Sequence, residues 1–283
     1  MRVLVIGSNG MLGSDLMNEW ESPVVIPATS RDADIRDIEQ VRRLVATATP
    51  DWIILAAAYT DVDGAERNPE LAFAVNRDGT TNVAIAAQEI GAKLFYLSTD
   101  YVFDGKSVRP YEPADPIHPL NVYGVSKAAG EKEVQEQTKH WIIARTSWLF
   151  GASRTCFPEK IIKASDSQSE LRVVHDQIGS PTYTKDLARA IRELIDRDAH
   201  GILNITNSGS CSWFEFARQI LLKAGRKTRI SPITTAEATR PARRPASSVL
   251  SSLPLASFGI QLRSWQDALD DYIEELRRTG KLR

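Results

Sequence analysis

From Val3 to Gly13 the chain reads V-L-V-I-G-S-N-G-M-L-G, and the rest of the first half is arranged around this opening. Val3 to Ile6 is a short aliphatic run suited to a central parallel strand, buried on both faces. Glycines at 7, 10 and 13 form G-x-x-G-x-x-G, and a periodic apolar segment, Leu12 to Trp20, follows. A tight strand-to-helix turn needs glycine, because a Cβ would fill the space where a pyrophosphate meets the helix terminus. Gly13 permits close packing of helix on sheet. Strand, glycine turn and helix in this order point to a dinucleotide-binding unit. Asn9, Met11 and Leu12 complete the candidate cofactor contacts of the turn.

Further apolar runs extend the sheet. Val24 to Ile26 ends near Ala28-Thr29-Ser30-Arg31, with no acidic residue directly at the strand end to clasp a ribose. Arg31 either meets a 2′-phosphate, which favours NADPH over NADH, or is a surface arginine. Asp34, with Ile35 beside it, either approaches the adenine or helps cap a helix expected over 36–48. Trp52 to Leu55 is the third strand, and Ala56-Ala57-Ala58-Tyr59-Thr60 leaves its carboxyl end. Small residues there let a cofactor lie against backbone. Asp61, Asp63 and Glu66 read as a polar helix start rather than a metal cluster. Asn76 either caps the Ala-rich helix after it or braces neighbouring active-site backbone.

The chemistry is carried by a second stretch, Ser98 to Lys127. Leu94 to Leu97 reads as a strand, and Thr99 falls where that strand opens into a cleft, the usual ligand position in doubly wound sheets. Tyr123 and Lys127 are four residues apart, which puts both side chains on one helical face. A lysine between a tyrosine and a nicotinamide ribose lowers the cost of transient phenolate charge. The tyrosine can then give its proton to an alkoxide forming at a carbonyl, with Thr99 holding the same oxygen. Asp100 either accepts a substrate hydroxyl or stabilises local backbone, and Val102 and Phe103 border the same passage. Pro110, Pro113, Pro116 and Pro119 punctuate a loop that borders the cleft. Trp148, after the strand expected at 141–144, stacks a base or sugar, or packs in the core.

In the carboxyl half, helices are expected over 156–164, over 183–195 with Thr182 as cap, over 211–223 and over 264–279. Strands are expected at 171–174, 203–206 and 230–233. Arg240, Arg243 and Arg244 cluster in a proline-rich passage, suited either to a diphosphate or to a solvated surface. The 283 residues are 42% apolar and 25% charged, enough for one large or two closely packed domains. With 35 basic and 36 acidic side chains, the net charge of -1 gives no reason to expect nucleic acid or an anionic membrane as partner. No apolar run has the length of a membrane span and no leader precedes Val3. Cys156 and Cys211 lack metal-ligand spacing and are expected as free thiols in a reducing, cytoplasmic setting.

Taken together, these motifs resemble the dTDP-4-dehydrorhamnose reductases, within the extended short-chain dehydrogenase/reductase class. The resemblance covers nearly the full length. It rests on Gly7-x-x-Gly10-x-x-Gly13, Ala56-Ala57-Ala58-Tyr59-Thr60, Ser98-Thr99-Asp100-Tyr101-Val102-Phe103-Asp104-Gly105 and Tyr123-Gly124-Val125-Ser126-Lys127. Arg145 to Gly151, Gly179-Ser180-Pro181-Thr182 and Arg244-Pro245-Ala246-Ser247-Ser248-Val249-Leu250 continue it. The resemblance implies a Rossmann-like, doubly wound parallel α/β sheet with a smaller, interleaved substrate-binding domain. The NAD(P) part is expected over 1–150 and about 174–202, and the substrate part over about 151–173 and 203–283. It also implies NADPH- or NADH-dependent reduction of the C4 ketone of dTDP-6-deoxy-L-lyxo-4-hexulose to dTDP-L-rhamnose. The family's catalytic Thr, Tyr and Lys fall on Thr99, Tyr123 and Lys127, and its substrate-side residues on Trp148, Arg244 and Ser248. Ser247 stands where the family usually has asparagine, a shorter hydrogen-bonding group without an amide. Some family members depend on magnesium and some form homodimers; no magnesium site is assigned to residues of this sequence. Two rival functions are another nucleotide-sugar reductase or epimerase, and a non-catalytic subunit like the branch of this fold that binds methionine adenosyltransferase.

Overall fold

The computed structural model describes residues 1–20 and 24–282. In chain order the first half contains β1 (Arg2–Ile6), α1 (Met11–Glu19), β2 (Val24–Ala28), α2 (Ile38–Ala48), β3 (Trp52–Leu55), α3 (Val62–Arg67) and α4 (Pro69–Phe73). A π-helical turn at Ala74–Asp78 leads into α5 (Gly79–Ile90), followed by β4 (Lys93–Thr99), a 3₁₀ turn at Asp100–Val102, α6 (Val122–Gln137) and β5 (Trp141–Thr146). Then come β6 (Leu149–Phe150), α7 (Phe157–Ser165), β7 (Glu170–Val174), β8 (Ile178–Gly179), β9 (Thr182–Tyr183), α8 (Thr184–Asp196) and β10 (Gly201–Asn204). The chain ends with β11 (Cys211–Ser212), α9 (Trp213–Lys223), β12 (Arg229–Ile233), α10 (Thr235–Ala238), a 3₁₀ turn at Leu253–Phe258 and α11 (Trp265–Arg278).

Six strands form one parallel sheet in the order β2-β1-β3-β4-β5-β10. The continuous apolar runs are explained by helices on both faces. Val3, Val5, Trp52, Ile54, Phe95, Ile142 and Ala144 share a core with Leu12 and Leu16 of α1 and Leu187 and Ile191 of α8. The alternate residues Leu4, Ile6, Ile53, Leu55, Leu94, Tyr96 and Ile143 meet Val41, Val45, Val83, Ala87 and Val134 of α2, α5 and α6. The chain reverses direction across the sheet between β1 and β3, and a crevice opens beyond the carboxyl ends of those strands, as the doubly wound rule requires.

A separate core holds the second lobe: Phe150, Ile161, Leu171, Cys211, Phe216, Leu269, Tyr272 and Leu276 among others. There β12 pairs in parallel with β7. The expected division at 202/203 falls inside β10, which runs through Asn204 in the main sheet beside β5. Leu255, Ile260 and Leu262, from the segment expected in the substrate part, also pack in the nucleotide-lobe core. Two expected caps move by one to three residues. Asp37 caps α2, its Oδ1 accepting from the amides of Glu39 (2.9 Å) and Gln40 (3.1 Å). Thr182 lies in β9 and its hydroxyl donates to Ser180 O, while α8 starts after Tyr183 with no side-chain cap.

Candidate active site

A cavity of about 690 Å³ opens at the switch point. Its floor is the glycine turn, with Gly7, Asn9, Gly10, Met11 and Leu12, and facing it Ala56, Ala57 and Ala58. Gly7 has φ +93°, and a Cβ there would come within 2.7 Å of Ala57 N. A Cβ on Gly13 would lie 2.1 Å from Gly7 O, so the third glycine lets α1 close onto the turn rather than touching a ligand itself. The turn is held by Gly7 N and Ser8 N, which both donate to Ala28 O (2.8 and 3.0 Å). This cradle, bare of side chains where a helix begins, fits a dinucleotide pyrophosphate. Thr146 Oγ1, buried and without a hydrogen-bond partner among the described residues, also lies in the cavity wall.

Thr99, Tyr123 and Lys127 line the same cavity. Thr99 ends β4, where its hydroxyl accepts from Tyr101 N (3.2 Å) and donates to Asp100 Oδ1 (3.0 Å). Asn121 caps α6 by accepting from Gly124 N (2.8 Å), and Glu66 adds an acceptor for Val122 N (2.8 Å). This double cap sets the first turn of the helix, from which Tyr123 projects. Burial pushes the Tyr123 phenol up to about 12, against an opposing contribution from the Thr99 hydroxyl. Lys127 is 2% exposed. Its ammonium donates to Leu97 O (2.7 Å) and sits 4.0 Å from the centre of the Tyr96 ring. Burial pulls its pKa down to about 7, against the charge of Glu131. Glu131 is itself committed to Arg145, at 2.7 Å, and to Ser98 Oγ, at 2.5 Å.

Asn76 lies in the π-helical turn, 1% exposed. It takes the bracing role: Oδ1 accepts from Tyr59 N (2.8 Å), while Nδ2 donates to Tyr59 O (3.1 Å) and Ser126 Oγ (3.0 Å). It thereby ties the loop after β3 to the helix that carries Lys127. Tyr59 contributes through that backbone and does not line the cavity.

The other expected contacts differ in how they stand to the cavity: Asp100 and Trp148 line it, and the rest are outside its lining. Asp34 is chelated by the Arg36 guanidinium, at 2.9 and 2.5 Å, and Ile35 is buried beneath Gly79 of α5. Arg31 is exposed beside Ser30, which does line the cavity. Val102 and Phe103 are fully buried with Tyr111 and Leu250, and Phe103 stacks on Tyr111 at 4.2 Å. Asp100 and Ser248 face each other, the Ser248 hydroxyl donating to Asp100 Oδ2 (2.5 Å). Arg244 pairs with Asp63 (2.5 Å), and Ser247 N donates to Gly105 O (3.1 Å). Arg244, Ser247 and Ser248 are outside the cavity lining and join the carboxyl-terminal passage to α3, to Gly105 and to the 3₁₀ turn after Thr99 respectively. Asp61 caps α3 through Gly64 N (2.8 Å), so the acidic trio of that helix is taken up by capping and pairing.

Trp148 lines the cavity with φ +48°, a costly backbone state for a bulky side chain. Its indole stacks on Trp213 at 3.5 Å and 9°. It also lies against Gly179, where a Cβ would come 2.4 Å from its Cε2. Trp213 was not among the expected site residues. It opens α9, whose start is marked in the sequence only by the capping box of Ser212 and Glu215. Tyr101, Ser147, Arg154 and Thr155 also line the wall. Tyr101 meets Tyr123 edge-on at 5.9 Å.

Comparison with known proteins agrees with this arrangement. A model of the RmlD substrate binding domain family matches residues 1–278. The spore coat polysaccharide biosynthesis protein SpsK of Bacillus subtilis (strain 168) is 41% identical over 276 residues, 97% of each chain. A dTDP-4-dehydrorhamnose reductase of Sinorhizobium fredii (strain NBRC 101917 / NGR234) is 37% identical over 294 residues, 99% of each. The crystal structure of a dTDP-4-dehydrorhamnose reductase from Bacillus anthracis str. Ames, in complex with NADP, superposes with a TM-score of 0.95 at 41% identity, over 97% of this chain and 99% of that one. On the evidence of its fold, its cavity and these full-length matches, the chain belongs to the dTDP-4-dehydrorhamnose reductase family.

Proposed function

We propose that this protein reduces the C4 ketone of dTDP-4-dehydro-6-deoxy-L-mannose to dTDP-L-rhamnose with NAD(P)H. The observation that carries the reading is that Thr99, Tyr123 and Lys127 open onto the same cavity as the glycine turn. A reduced nicotinamide held by the glycine turn and Lys127 would supply the hydride for the ketone carbon. Tyr123 donates its phenolic proton to the ketone oxygen, and its raised pKa keeps that proton in place across the working pH range. The Lys127 ammonium lowers the cost of the phenolate left behind and would hold a ribose hydroxyl of the cofactor. The Thr99 hydroxyl positions the same ketone oxygen. Trp148 and Trp213 form an apolar wall that a base or sugar ring can pack against. Exposed Arg31 favours NADPH, and the related Bacillus anthracis enzyme was solved with NADP.

A reducing, cytoplasmic setting belongs to this reading; both cysteines are free and buried, and among the described residues no helix is long and apolar enough to cross a membrane. The sugar nucleotide is the proposed partner, with a homodimer as the proposed assembly.

The test is the loss of NAD(P)H absorbance with the dTDP-4-keto sugar, with identification of the product. Folded protein that binds cofactor without turning over this substrate would defeat the assignment. A redox-neutral change of the sugar would instead point to an epimerase. Tyr123→Phe should reduce turnover by about 10²- to 10⁴-fold, the usual worth of a general acid, with cofactor affinity largely kept.

A further inference from the structure

We propose that Arg154 is a phosphate-binding residue, reaching from the second lobe to clamp the diphosphate of the nucleotide on the glycine turn. The inference rests on reading the cavity as a nucleotide site. Three side chains in its wall are acidic or basic, Asp100, Lys127 and Arg154. Asp100 and Lys127 are each 2% exposed and already engaged, Asp100 by Thr99 and Ser248, Lys127 by Leu97 O. A dinucleotide brings a diphosphate into this space. Arg154 is exposed and presents a cationic guanidinium.

Its position is defined at both ends. Arg154 follows β6 and precedes α7 of the second lobe. Its Nε donates to Asn9 O (2.8 Å), and the neighbouring Ser153 hydroxyl donates to Met11 O (3.1 Å). Both acceptors belong to the glycine turn and the first residue of α1. The backbone carbonyl of Asn9 thus pins one edge of the guanidinium, and the terminal nitrogens make no hydrogen bond or ion pair among the described residues. A planar fork held at one edge, beside a cradle of backbone amides, suits a phosphate oxygen pair. The turn's amides approach from one side and Arg154 from the other, so cofactor binding would also draw the second lobe onto the turn.

The experiment needs no turnover. NADPH is titrated into the full-length protein by nicotinamide fluorescence, at low and high salt, for the wild type, Arg154→Gln and Arg154→Lys. In parallel, dTDP is titrated by calorimetry. The expected result is an NADPH affinity about tenfold weaker for Arg154→Gln at low salt, as for a lost charge-assisted contact. The gap should narrow at high salt, and Arg154→Lys should recover part of it. NADPH affinities within twofold of one another would overturn the proposal. So would a loss that is independent of salt and equal in both variants, because that would mark a strut for Asn9 rather than a clamp. Weakening of dTDP alone would also overturn it, assigning the guanidinium to the sugar nucleotide. Absence of ketone reduction would leave these titrations intact, so the two readings fail separately.

Discussion

At the scale of single residues, Asp100 shows how burial and partners set a protonation state. Its carboxyl is enclosed at the end of β4, and desolvation raises its pKa to about 7 despite hydrogen bonds from Ser248 and Thr99. Between the unfolded value near 4 and about 7, the folded chain keeps a proton that the unfolded chain releases. Stability from this group therefore falls as pH rises through that window and is flat above it. Asp100→Asn should remove the slope. Urea midpoints of variant and wild type should move in the variant's favour from pH 4.5 to pH 8; a pH-independent difference would mean that Asp100 is not protonated in the fold. The D of S-T-D that lines the cavity, Asp100, stood out in the sequence, but its partner did not. Ser248 is 148 positions away, and nothing local in either segment specifies their meeting.

At the scale of elements, the glycine turn and α6 do the positioning. Gly13 is the sharpest case, because an added Cβ meets Gly7 O at 2.1 Å and Ser8 Cα at 2.7 Å, both backbone atoms that cannot swing away. Gly13→Ala should push α1 off the turn, costing about 1–3 kcal/mol and weakening NADPH in a fluorescence titration. An unchanged melting midpoint with normal cofactor affinity would contradict the packing. Beneath Thr99, Glu131 of α6 and Arg145 of β5 form an ion pair with both side chains 2–3% exposed. Arg145 also donates to Pro113 O (3.0 Å), so the pair fixes the loop that leads to α6. Glu131→Gln leaves a buried guanidinium short of its counter-charge and should cost about 3–5 kcal/mol in chemical denaturation. Strand runs and glycine spacing were largely readable because they are local, whereas the caps of α2 and α8 were not. The π-helical turn at Ala74–Asp78 was not, because its register is set by Asn76 reaching both Tyr59 and Ser126.

At the scale of the molecule, two large cores flank one cavity and are tied together. Glu275 of α11 accepts from Tyr183 (2.6 Å) at the end of β9 and pairs with Lys185 (2.7 Å) of α8. Ser153 and Arg154 tie the other side to the glycine turn. Leu269, fully buried in the second-lobe core, reports on this coupling. Leu269→Ala should cost about 2–5 kcal/mol, while calorimetric and van't Hoff enthalpies stay equal, as for a single cooperative transition. Two resolved transitions in the variant would show that the lobes unfold separately.

The sequence by itself determined the nucleotide-binding half, because its signals are periodic and short-ranged. They are apolar strands, glycines where a Cβ has no room, and a tyrosine and lysine one helical turn apart. It also singled out Thr99, Tyr123, Lys127 and Trp148, which line one cavity. Tertiary structure alone decided which polar residues face the cavity. Asp34 turned to Arg36, Arg244 to Asp63 and Ser248 to Asp100, while Trp213 and Arg154 entered the wall from the second lobe. The physical reason is that a buried or half-buried polar group takes the partner that packing brings to it, and that partner is commonly remote in sequence.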